Sequence, residues 1–314
     1  MKVGIIGAGL VGSTTAYTLA IEGTANEIVL VDVNKQRAEA EADDITHATA
    51  FKQDCTIING DYPDLSGAHI VIITADGAPN FNNSRLELVD NNTKMFESII
   101  PNLVRYAPEA IIIVTTNPVD VMTMVALHLS GFPRSRVIGS GTVLDTARFR
   151  SLLGQYLGIS PKSLHGVVVG EHGDSAVVSW STACVGAMCI DEFAGVMERP
   201  LTPEMKSQIA ADVVQIAYRI YHGKKATYYG IAGALSTICK AIAKDEKRVL
   251  TVSSFHQNVE GLQDVCLSLP AVIGRQGVLK TMLPHLSTPE MQQLQKSAEV
   301  LCEVQKKACG ILKN

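Results

Sequence analysis

The sequence predicts an α/β protein in which a doubly wound parallel sheet is followed by an α+β domain. The first half alternates short, β-branched apolar runs with helical stretches or turns. Continuous apolar runs suit strands that are buried on both faces of a parallel sheet and joined by crossover helices. After about residue 142 helical patterns dominate. We therefore expect two closely packed domains, residues 1–142 and 143–314.

Six apolar runs in the first half predict strands, which is the number that completes a doubly wound sheet. In chain order they read VGIIG, EIVLVD, CTIING, HIVIITA, AIIIVTTN and RVIGSG. The second half contains two further strand-like stretches, SLHGVVVG and AVVSWSTACV. They interrupt an otherwise helical pattern, so we expect a mixed second domain.

Two helices of the second half are predicted to start at Thr-Pro-Glu tripeptides, residues 202–204 and 288–290. Each tripeptide supplies an N-cap hydroxyl, a proline at the first helical position and an acid in the first turn. The first helix should end near Gly223. Their apolar faces indicate core or subunit contacts. The residues are Ile209, Val213, Ile216 and Ile220 on one helix, and Leu294, Ala298, Leu301 and Val304 on the other.

The composition describes a folded chain, with 46% hydrophobic and 18% charged residues among 314. A formal charge of -4 gives no basic footprint for nucleic acid or an anionic membrane. No apolar run approaches the roughly 18 residues of a membrane-spanning helix. The sequence enters a strand pattern at once, MKVGIIG, without the pattern of a signal peptide. We expect a cytoplasmic protein.

The seven cysteines indicate neither disulfides nor a metal site. They are odd in number, and none forms a C-x-x-C pair. Cys184 and Cys189 lie five apart, without a partner at zinc-site spacing. We interpret all seven as buried or incidental thiols of a reducing compartment.

A glycine-rich loop, GAGLVG at residues 7–12, follows the first strand run and precedes a helical one. In a G-x-G-x-x-G loop, Gly7 would permit the tight turn, Gly9 would let backbone approach a pyrophosphate, and Gly12 would allow close helix–strand packing. Asp32 ends the next strand, twenty residues past Gly12, where a carboxylate binds an adenosine ribose. The pattern predicts a Rossmann-type domain that binds NAD, because Asp32 would repel the 2′-phosphate of NADP. The alternative is a glycine turn beside an unrelated acid.

Three polar positions suggest acid–base chemistry on an alcohol or ketone. His172 lies between glycines after an apolar strand, and Asp145 and Arg148 are three apart at a helix start. A histidine exchanges the hydroxyl proton near neutral pH, and a carboxylate orients it. A guanidinium grips a substrate carboxylate, and a second cation stabilises charge on the carbonyl oxygen. Taken alone, a single histidine is more often structural.

These motifs resemble the L-lactate/malate dehydrogenase family, and its bacterial lactate branch most. The resemblance covers nearly the whole chain. It includes GAGLVG, the acid after IVLVD, RLELV, TTNPVDV, GFPRSRVIGSGTVLDTARFR, GEHGDS and KATYYGIA.

The resemblance implies a role for each matching residue. His172 would be the proton donor and acceptor, oriented by Asp145, while Arg148 binds the substrate carboxylate and Arg85 polarises the carbonyl. Asn117, at the end of a strand, would bind substrate near the nicotinamide, and Thr227 would line the substrate pocket. The implied cofactor-binding residues are Gly7, Gly9, Val11, Gly12, Asp32, Thr74, Ala75, Asn117 and Ile231.

The segment 76–85, which we call the flap, departs from the family pattern AGANQKPGETRLDLV. A gapless alignment back from Arg85 places Pro79 at the position that discriminates substrates, whereas a one-residue slip places Asn80 there. Neither residue supplies the cation that a second substrate carboxylate needs. The resemblance therefore favours pyruvate and L-lactate. Malate or a bulkier 2-hydroxy acid is the alternative, and a non-catalytic NAD-binding scaffold is a third reading.

Arg150 and His165 occupy positions where many bacterial members bind fructose 1,6-bisphosphate between subunits. Two cations suit a phosphate, and the alternative is two ordinary surface residues. The family is typically tetrameric, with dimers in the malate branch, so we expect a homo-oligomer.

Overall fold

The computed structural model describes residues 1–52, 54–77, 85–257, 261 and 264–311. All six strands predicted for the first half are confirmed. They are β1 (Lys2–Ile6), β2 (Glu27–Val31), β3 (Thr56–Asn59), β4 (Ile70–Ile73), β5 (Ile111–Val114) and β6 (Val137–Gly139). They pair in parallel in the order β3-β2-β1-β4-β5-β6. The strand order reverses between β1 and β4, which is the point where open sheets of this kind bind ligands.

Helices join these strands and cover both faces of the sheet. In the first half they are α1 (Leu10–Ile21), α2 (Lys35–Thr49), α3 (Arg85–Tyr106) and α4 (Val119–Ser130). In the second half they are α5 (Val143–Leu157), α6 (Ile190–Val196), α7 (Pro203–Lys224), α8 (Tyr229–Ala243) and α9 (Thr288–Ile311). The core on one face draws on α1, α2 and α8, and the core on the other draws on α3, α4 and α9. Helices of both halves therefore share each face.

The predicted start of α7 is confirmed, whereas that of α9 is wrong by one residue. Thr202 caps α7 by accepting a hydrogen bond from the Met205 N–H at 3.3 Å. Helix α9 begins at Thr288, and the Ser287 N–H before it donates to the Glu290 carboxylate at 2.8 Å. This bond from the serine N–H to the glutamate three residues later is one of the two bonds of a capping box. Ser287 is thus the residue that precedes the first turn.

The predicted apolar faces are only partly core. Ile209 and Val213 on α7 are buried, as are Leu294, Ala298 and Leu301 on α9. The other predicted members are half-buried: Ile216, Ile220 and Val304.

Three further strands in the second half were not predicted from the sequence. They are β12 (Arg248–His256), β13 (Val265–Gly274) and β14 (Gly277–Thr281), which pair antiparallel. Ser253 of β12 pairs with Gly139 of β6, so these strands extend the sheet to nine. The two halves therefore share one continuous sheet.

Short strands make two small sheets in the second half. One contains β7 (Leu164–His165), β10 (Cys184–Val185) and β11 (Met188–Cys189), and the other contains β8 (Val168–Val169) and β9 (Val177–Val178). They confirm the two strand-like stretches. Within the described part of the chain, no helix is both long and apolar enough to cross a bilayer.

Candidate functional site

The glycine-rich loop joins β1 to α1 and leaves space at the start of that helix. Gly7 has φ of 108°, and a Cβ there would lie 2.6 Å from the Ala75 nitrogen. A Cβ on Gly12 would lie 1.8 Å from the Gly7 carbonyl oxygen. A Cβ on Gly9 would instead meet nothing within 4 Å. Gly7 and Gly12 are therefore in close contact with neighbouring backbone, whereas the space beside Gly9, the residue that precedes α1, is empty.

This open space suits the pyrophosphate of a dinucleotide. The first N–H groups of a helix have no partner within the helix, and they favour an anion. Gly9 is the N-cap residue of α1, and it has no side chain that could cover the start of the helix. Val11, half-buried in the first turn, packs on the core beneath the loop. The residues present thus fit the NAD that the sequence predicts.

Asp32 lies directly beside the glycine-rich loop. One carboxylate oxygen accepts a hydrogen bond from the Ala8 N–H at 2.6 Å, and the other accepts one from the Asn34 N–H at 2.8 Å. A carboxylate oxygen has more than one acceptor position, so these bonds leave capacity for a ribose. The structure therefore brings together the two parts of the predicted nucleotide site.

Thr74 and Ala75 tie the end of β4 to the same loop. The Thr74 hydroxyl donates to the Gly7 carbonyl oxygen at 2.8 Å, and the Thr116 hydroxyl donates to the Ala75 carbonyl oxygen at 2.6 Å. The carboxyl ends of β1, β4 and β5 are thereby fixed together at the point where the strand order reverses.

Asp145 bonds to both other members of the predicted acid–base set. Its Oδ2 lies 2.5 Å from Nδ1 of His172, and its Oδ1 accepts a hydrogen bond from Nη1 of Arg148 at 2.9 Å. Asp145 and Arg148 occupy the first turns of α5, three residues apart, while His172 lies in the loop after β8. One nearly buried carboxylate is thus shared between an imidazole and a guanidinium.

These contacts shift the protonation equilibria of the pair in opposite directions. Burial acts to raise the pKa of Asp145, but the charges and hydrogen bonds of His172 and Arg148 outweigh burial and hold that pKa below its ordinary value. Burial acts to lower the pKa of His172, but the Asp145 carboxylate outweighs it and raises that pKa. The arrangement therefore favours an imidazolium that can donate a proton from Nε2.

Asp120, which the sequence analysis did not single out, holds the backbone of His172. Its Oδ2 accepts a hydrogen bond from the His172 N–H at 2.8 Å, and Asp120 is 1% exposed. The Glu171 N–H donates to the Ser297 hydroxyl at 3.0 Å, and Gly170 pairs with Ser268 of β13. The available signal for Asp120 was its position in Asn-Pro-Val-Asp, directly after a strand.

Asn92 is a second residue that the sequence analysis missed. Its side-chain amide donates to the Asn117 carbonyl oxygen at 2.7 Å and to Asp76 at 3.2 Å, and its carbonyl accepts from the Gly77 N–H at 2.9 Å. Asn92 therefore links the described start of the flap to the end of β5. Asn117 itself is exposed at that end.

The remaining flap predictions fall outside the described residues. Pro79 and Asn80 lie in the segment 78–84, which the structure does not describe. Arg85 is the first residue of α3, and its side chain is not among those described.

Thr227 and Ile231 flank the start of α8. A Cβ on Gly230 would lie 2.9 Å from the Leu144 side chain, so this helix start packs against the first turn of α5. Ile231 packs on the same core as Val11. Thr227 is half-buried just before the helix. The structure thus places both near the elements that carry the nucleotide loop and Asp145.

Arg150 and His165 lie close together on the surface of the second half. The Arg150 Nε donates to the carbonyl oxygen of Gly166, the residue after His165, at 2.9 Å. Burial lowers the pKa of Arg150, and the charge of Arg248 lowers it further. Arg248 is thus a third nearby cation that the sequence analysis missed.

Comparisons with known proteins give a consistent result across the chain. Residues 1–139 match the family described as lactate/malate dehydrogenase, NAD binding domain, and residues 142–310 match its alpha/beta C-terminal domain. The chain is 50% identical over 301 residues to an L-lactate dehydrogenase of Thermus aquaticus, covering 96% of this chain and 97% of that protein. It is 43% identical over 310 residues to an L-lactate dehydrogenase of Clostridium botulinum (strain Langeland / NCTC 10281 / Type F), covering 99% and 98%.

Two solved structures are similar over almost their full length. The minor L-lactate dehydrogenase of Enterococcus mundtii, in its ligand-bound form, has a TM-score of 0.94 at 36% identity. A lactate dehydrogenase from a Medee basin deep-sea metagenome library has a TM-score of 0.94 at 38% identity. In both cases the alignment covers 98% of each chain.

Proposed function

Because the chain belongs to the lactate/malate dehydrogenase family, we propose that it is an NAD-dependent L-lactate dehydrogenase. It interconverts pyruvate and NADH with L-lactate and NAD. The single observation that supports this chemistry best is the Asp145 carboxylate shared between His172 and Arg148. Residues 1–142 would bind NAD, and residues 143–314 would supply most of the catalytic groups.

NAD, when bound, supplies the hydride acceptor or donor for the reaction. In pyruvate reduction, Nε2 of His172 gives its proton to the carbonyl oxygen, and in lactate oxidation it takes the hydroxyl proton back. Asp145 fixes Nδ1 of the same ring as the protonated nitrogen and stabilises the imidazolium. The raised pKa of His172 keeps the ring charged for the reductive direction.

Arg148 binds the substrate carboxylate in this mechanism. Only Nη1 of its guanidinium is committed to Asp145, and the group has five N–H donors. The remaining donors can bind a carboxylate with two parallel hydrogen bonds, which fixes the face that the substrate presents. Arg85 would stabilise charge on the carbonyl oxygen, and Asn117 would bind the same oxygen beside the nicotinamide. Thr227 would line the pocket, and Ile231 would pack against the nicotinamide ring.

Pyruvate is the proposed substrate rather than oxaloacetate. Neither Pro79 nor Asn80 offers a cation for a second carboxylate. Burying that charge without a partner costs several kcal/mol. The relatives named above are lactate dehydrogenases, which supports the same choice.

A panel of 2-oxo acids tests the substrate. NADH oxidation would be followed by absorbance with pyruvate, oxaloacetate and longer 2-oxo acids under one set of conditions. We expect the highest kcat/KM for pyruvate. A kcat/KM for oxaloacetate that equals or exceeds the pyruvate value would contradict the assignment.

The enzyme would act in the cytoplasm as a homotetramer, at the step of fermentation that consumes the pyruvate of glycolysis. Arg150 and His165 would bind fructose 1,6-bisphosphate between subunits and so raise the affinity for pyruvate. The cationic surroundings of Arg150, including Arg248, support this assignment.

Pyruvate saturation curves with and without the bisphosphate test this regulation. We expect a lower half-saturating pyruvate concentration with the effector, and no effect in Arg150→Gln. An unchanged half-saturation point in the unmodified protein would refute the regulatory site.

A further inference from the structure

The three-stranded sheet of β7, β10 and β11 aligns three chemically active side chains in one row. Cys184 of β10 pairs with His165 of β7 on one side and with Cys189 of β11 on the other. Residues that pair directly across antiparallel strands project from the same face. The opposite face carries Leu164, Val185 and Met188, of which the first two are buried. The His165–Cys184–Cys189 row is therefore on the outer face.

The hydrogen-bond pattern gives the spacing of the two cysteines. The Ile190 N–H donates to the Ala183 carbonyl oxygen at 2.9 Å, so these two residues form a hydrogen-bonded pair. Such pairs alternate with non-hydrogen-bonded ones along an antiparallel ladder, so Cys184 and Cys189 form the non-hydrogen-bonded pair. The Cα atoms of such a pair are about 4.5 Å apart, which falls within the disulfide range of about 4.4–6.8 Å.

A tight turn holds this register. Gly186 and Ala187 connect the two strands, with φ of 55° and 69°. Two consecutive positive φ values are typical of the type I′ turn, whose twist matches that of a two-stranded hairpin. The two thiols are thus held opposite each other by local structure, although they are five apart in sequence.

Accessibility separates this pair from the buried thiols of the chain. Cys189 is exposed and Cys184 is half-buried. Cys239, in contrast, is completely buried, and burial raises the pKa of its thiol to about 12. Since thiol exchange requires access, an oxidant can reach Cys189 of a single chain, whereas it cannot reach Cys239.

We propose that Cys184 and Cys189 form a reversible disulfide that locks the β10–β11 hairpin. The oxidant is a low-molecular-weight disulfide. The Cys189 thiolate attacks one sulfur of this small disulfide. The S–S bond of the small disulfide breaks, and one of its halves leaves as a thiolate while the other stays bound to Cys189. The Cys184 thiolate then attacks the Cys189 sulfur and displaces the second thiolate. The two released thiolates take up the two cysteine protons, so the cysteines lose two electrons and the oxidant becomes two thiols.

The bridge would restrict the motion of the strand that pairs with His165, and it would do so only under oxidising conditions. Strand β10 lies between β11 and β7, so linking β10 to β11 restricts the strand that pairs with His165. The Arg150 Nε bonds to the backbone of the adjacent Gly166. Any effect on a bound bisphosphate rests on the proposed function, whereas formation of the bridge does not. Cys189 is exposed, so a small thiol can reach the bridge and reduce it.

Differential alkylation of the intact protein tests the bridge. The protein would be equilibrated with oxidised glutathione, denatured and alkylated. It would then be digested with trypsin, and the peptide masses would be measured by mass spectrometry. We expect a single tryptic peptide that contains both Cys184 and Cys189, is lighter by two hydrogens than its reduced form and takes up no alkylating agent. Treatment with dithiothreitol should abolish this species. Cys302→Ser, a matched change at a half-buried cysteine on α9, should leave the link intact. Cys184→Ser and Cys189→Ser should abolish it.

Two outcomes would overturn the proposal. One is that both thiols remain free for alkylation after oxidation, and the other is that each carries glutathione without a link between them. Hydrogen exchange adds a readout of the lock itself. Oxidation should slow exchange of the Ile190 N–H region in the unmodified protein and not in Cys189→Ser. Equal slowing in that variant would contradict a lock formed by this disulfide.

Discussion

At the scale of single residues, the site depends on the two carboxylate oxygens of Asp145, each of which bonds to a different side chain. One oxygen faces His172 and the other faces Arg148, so the proposed proton-transfer group and the proposed carboxylate-binding group share one negative charge. Both cations hold the pKa of Asp145 low, and Asp145 in turn raises the pKa of His172. A change at Asp145 should therefore appear in the pH dependence as well as in the rate.

The first prediction concerns Asp145→Asn. Pyruvate reduction needs protonated His172, so activity is present below the raised pKa of His172 and is lost as pH rises through it. Without the carboxylate, the folded-state pKa of His172 falls, and the loss should occur at lower pH. The rate at its optimum should fall by about 10²- to 10⁴-fold. The measurement is kcat/KM for pyruvate against pH, and an unshifted profile would contradict the role.

A second residue-scale prediction concerns Asp120, which holds the His172 N–H from α4. Asp120→Ala leaves that N–H without its acceptor, and a buried polar group left in this way costs about 1–3 kcal/mol of stability. Asp120→Asn retains an acceptor oxygen and should recover much of the loss in both stability and kcat. Urea denaturation and steady-state kinetics measure the two effects. Equal behaviour of the alanine and asparagine variants would show that the hydrogen bond is unimportant.

At the scale of elements, two glycines of the glycine-rich loop have different proposed roles: Gly12 is needed for packing, and Gly9 for binding the cofactor. A Cβ on Gly12 would collide with the Gly7 carbonyl oxygen, while a Cβ on Gly9 would enter open space. The same substitution, glycine to alanine, should therefore have opposite consequences at two positions three residues apart.

The third prediction compares Gly9→Ala with Gly12→Ala. Gly9→Ala should fold with nearly unchanged stability but bind NADH at least about tenfold more weakly, a loss of about 1.4 kcal/mol. Gly12→Ala should lose about 1–3 kcal/mol of stability or more, because backbone must move to admit the methyl group. Thermal unfolding and NADH fluorescence titration measure both. Unweakened NADH binding by Gly9→Ala would argue against a pyrophosphate at this position.

Elements of the first half could be predicted because their strands are short, continuously apolar and separated by helices. The six strands and the order of motifs at their carboxyl ends were all readable from the sequence. The later strand β13 is largely apolar, whereas β12 (RVLTVSSFH) mixes apolar and polar residues. Both strands adjoin long helical patterns and pair antiparallel with each other rather than alternate with helices. Their role as strands depends on the pairing of β12 with β6, which is distant in sequence and is not indicated by local patterns.

The site was predictable to the extent that its residues lie in local motifs. His172, Asp145 and Arg148 were found from chemistry and spacing, and the structure brings them together. Asp120, Asn92 and Ser297 were missed because each contributes to the site through a hydrogen bond to backbone that is distant in sequence. The pairing of Cys184 with Cys189 was missed for a similar reason, since strand register rather than spacing determines it.

At the scale of the whole molecule, the site is built from both halves of the chain. Asp120 belongs to the first half and His172 to the second, and Gln305 of α9 bonds to Asp120 and to Cys266 of β13. The Gln305 amide donates to the Cys266 carbonyl oxygen at 2.7 Å and to that of Asp120 at 3.3 Å. Its carbonyl accepts from the Cys266 N–H at 3.0 Å. Stability and catalytic geometry are therefore expected to change together.

The fourth prediction concerns the response of the whole fold to its cofactor. A ligand that binds only the folded state at about 100 times its Kd adds about 2.7 kcal/mol of stability. NADH should raise the unfolding temperature accordingly, and NADPH should raise it much less because Asp32 repels the 2′-phosphate. Asp32→Ala should reduce the difference between the two. Equal stabilisation of the unmodified protein by NADH and NADPH would contradict the role of Asp32.

The central claim is that His172 transfers the proton in an NAD-dependent reduction of pyruvate. The most direct measurement is single-turnover oxidation of bound NADH by pyruvate in the unmodified protein and in His172→Asn. We predict turnover in the former and a loss of about 10²- to 10⁴-fold in the latter, with NADH binding, measured by titration, retained in both. Near-normal turnover by His172→Asn, or no turnover of pyruvate by the unmodified protein, would contradict the account.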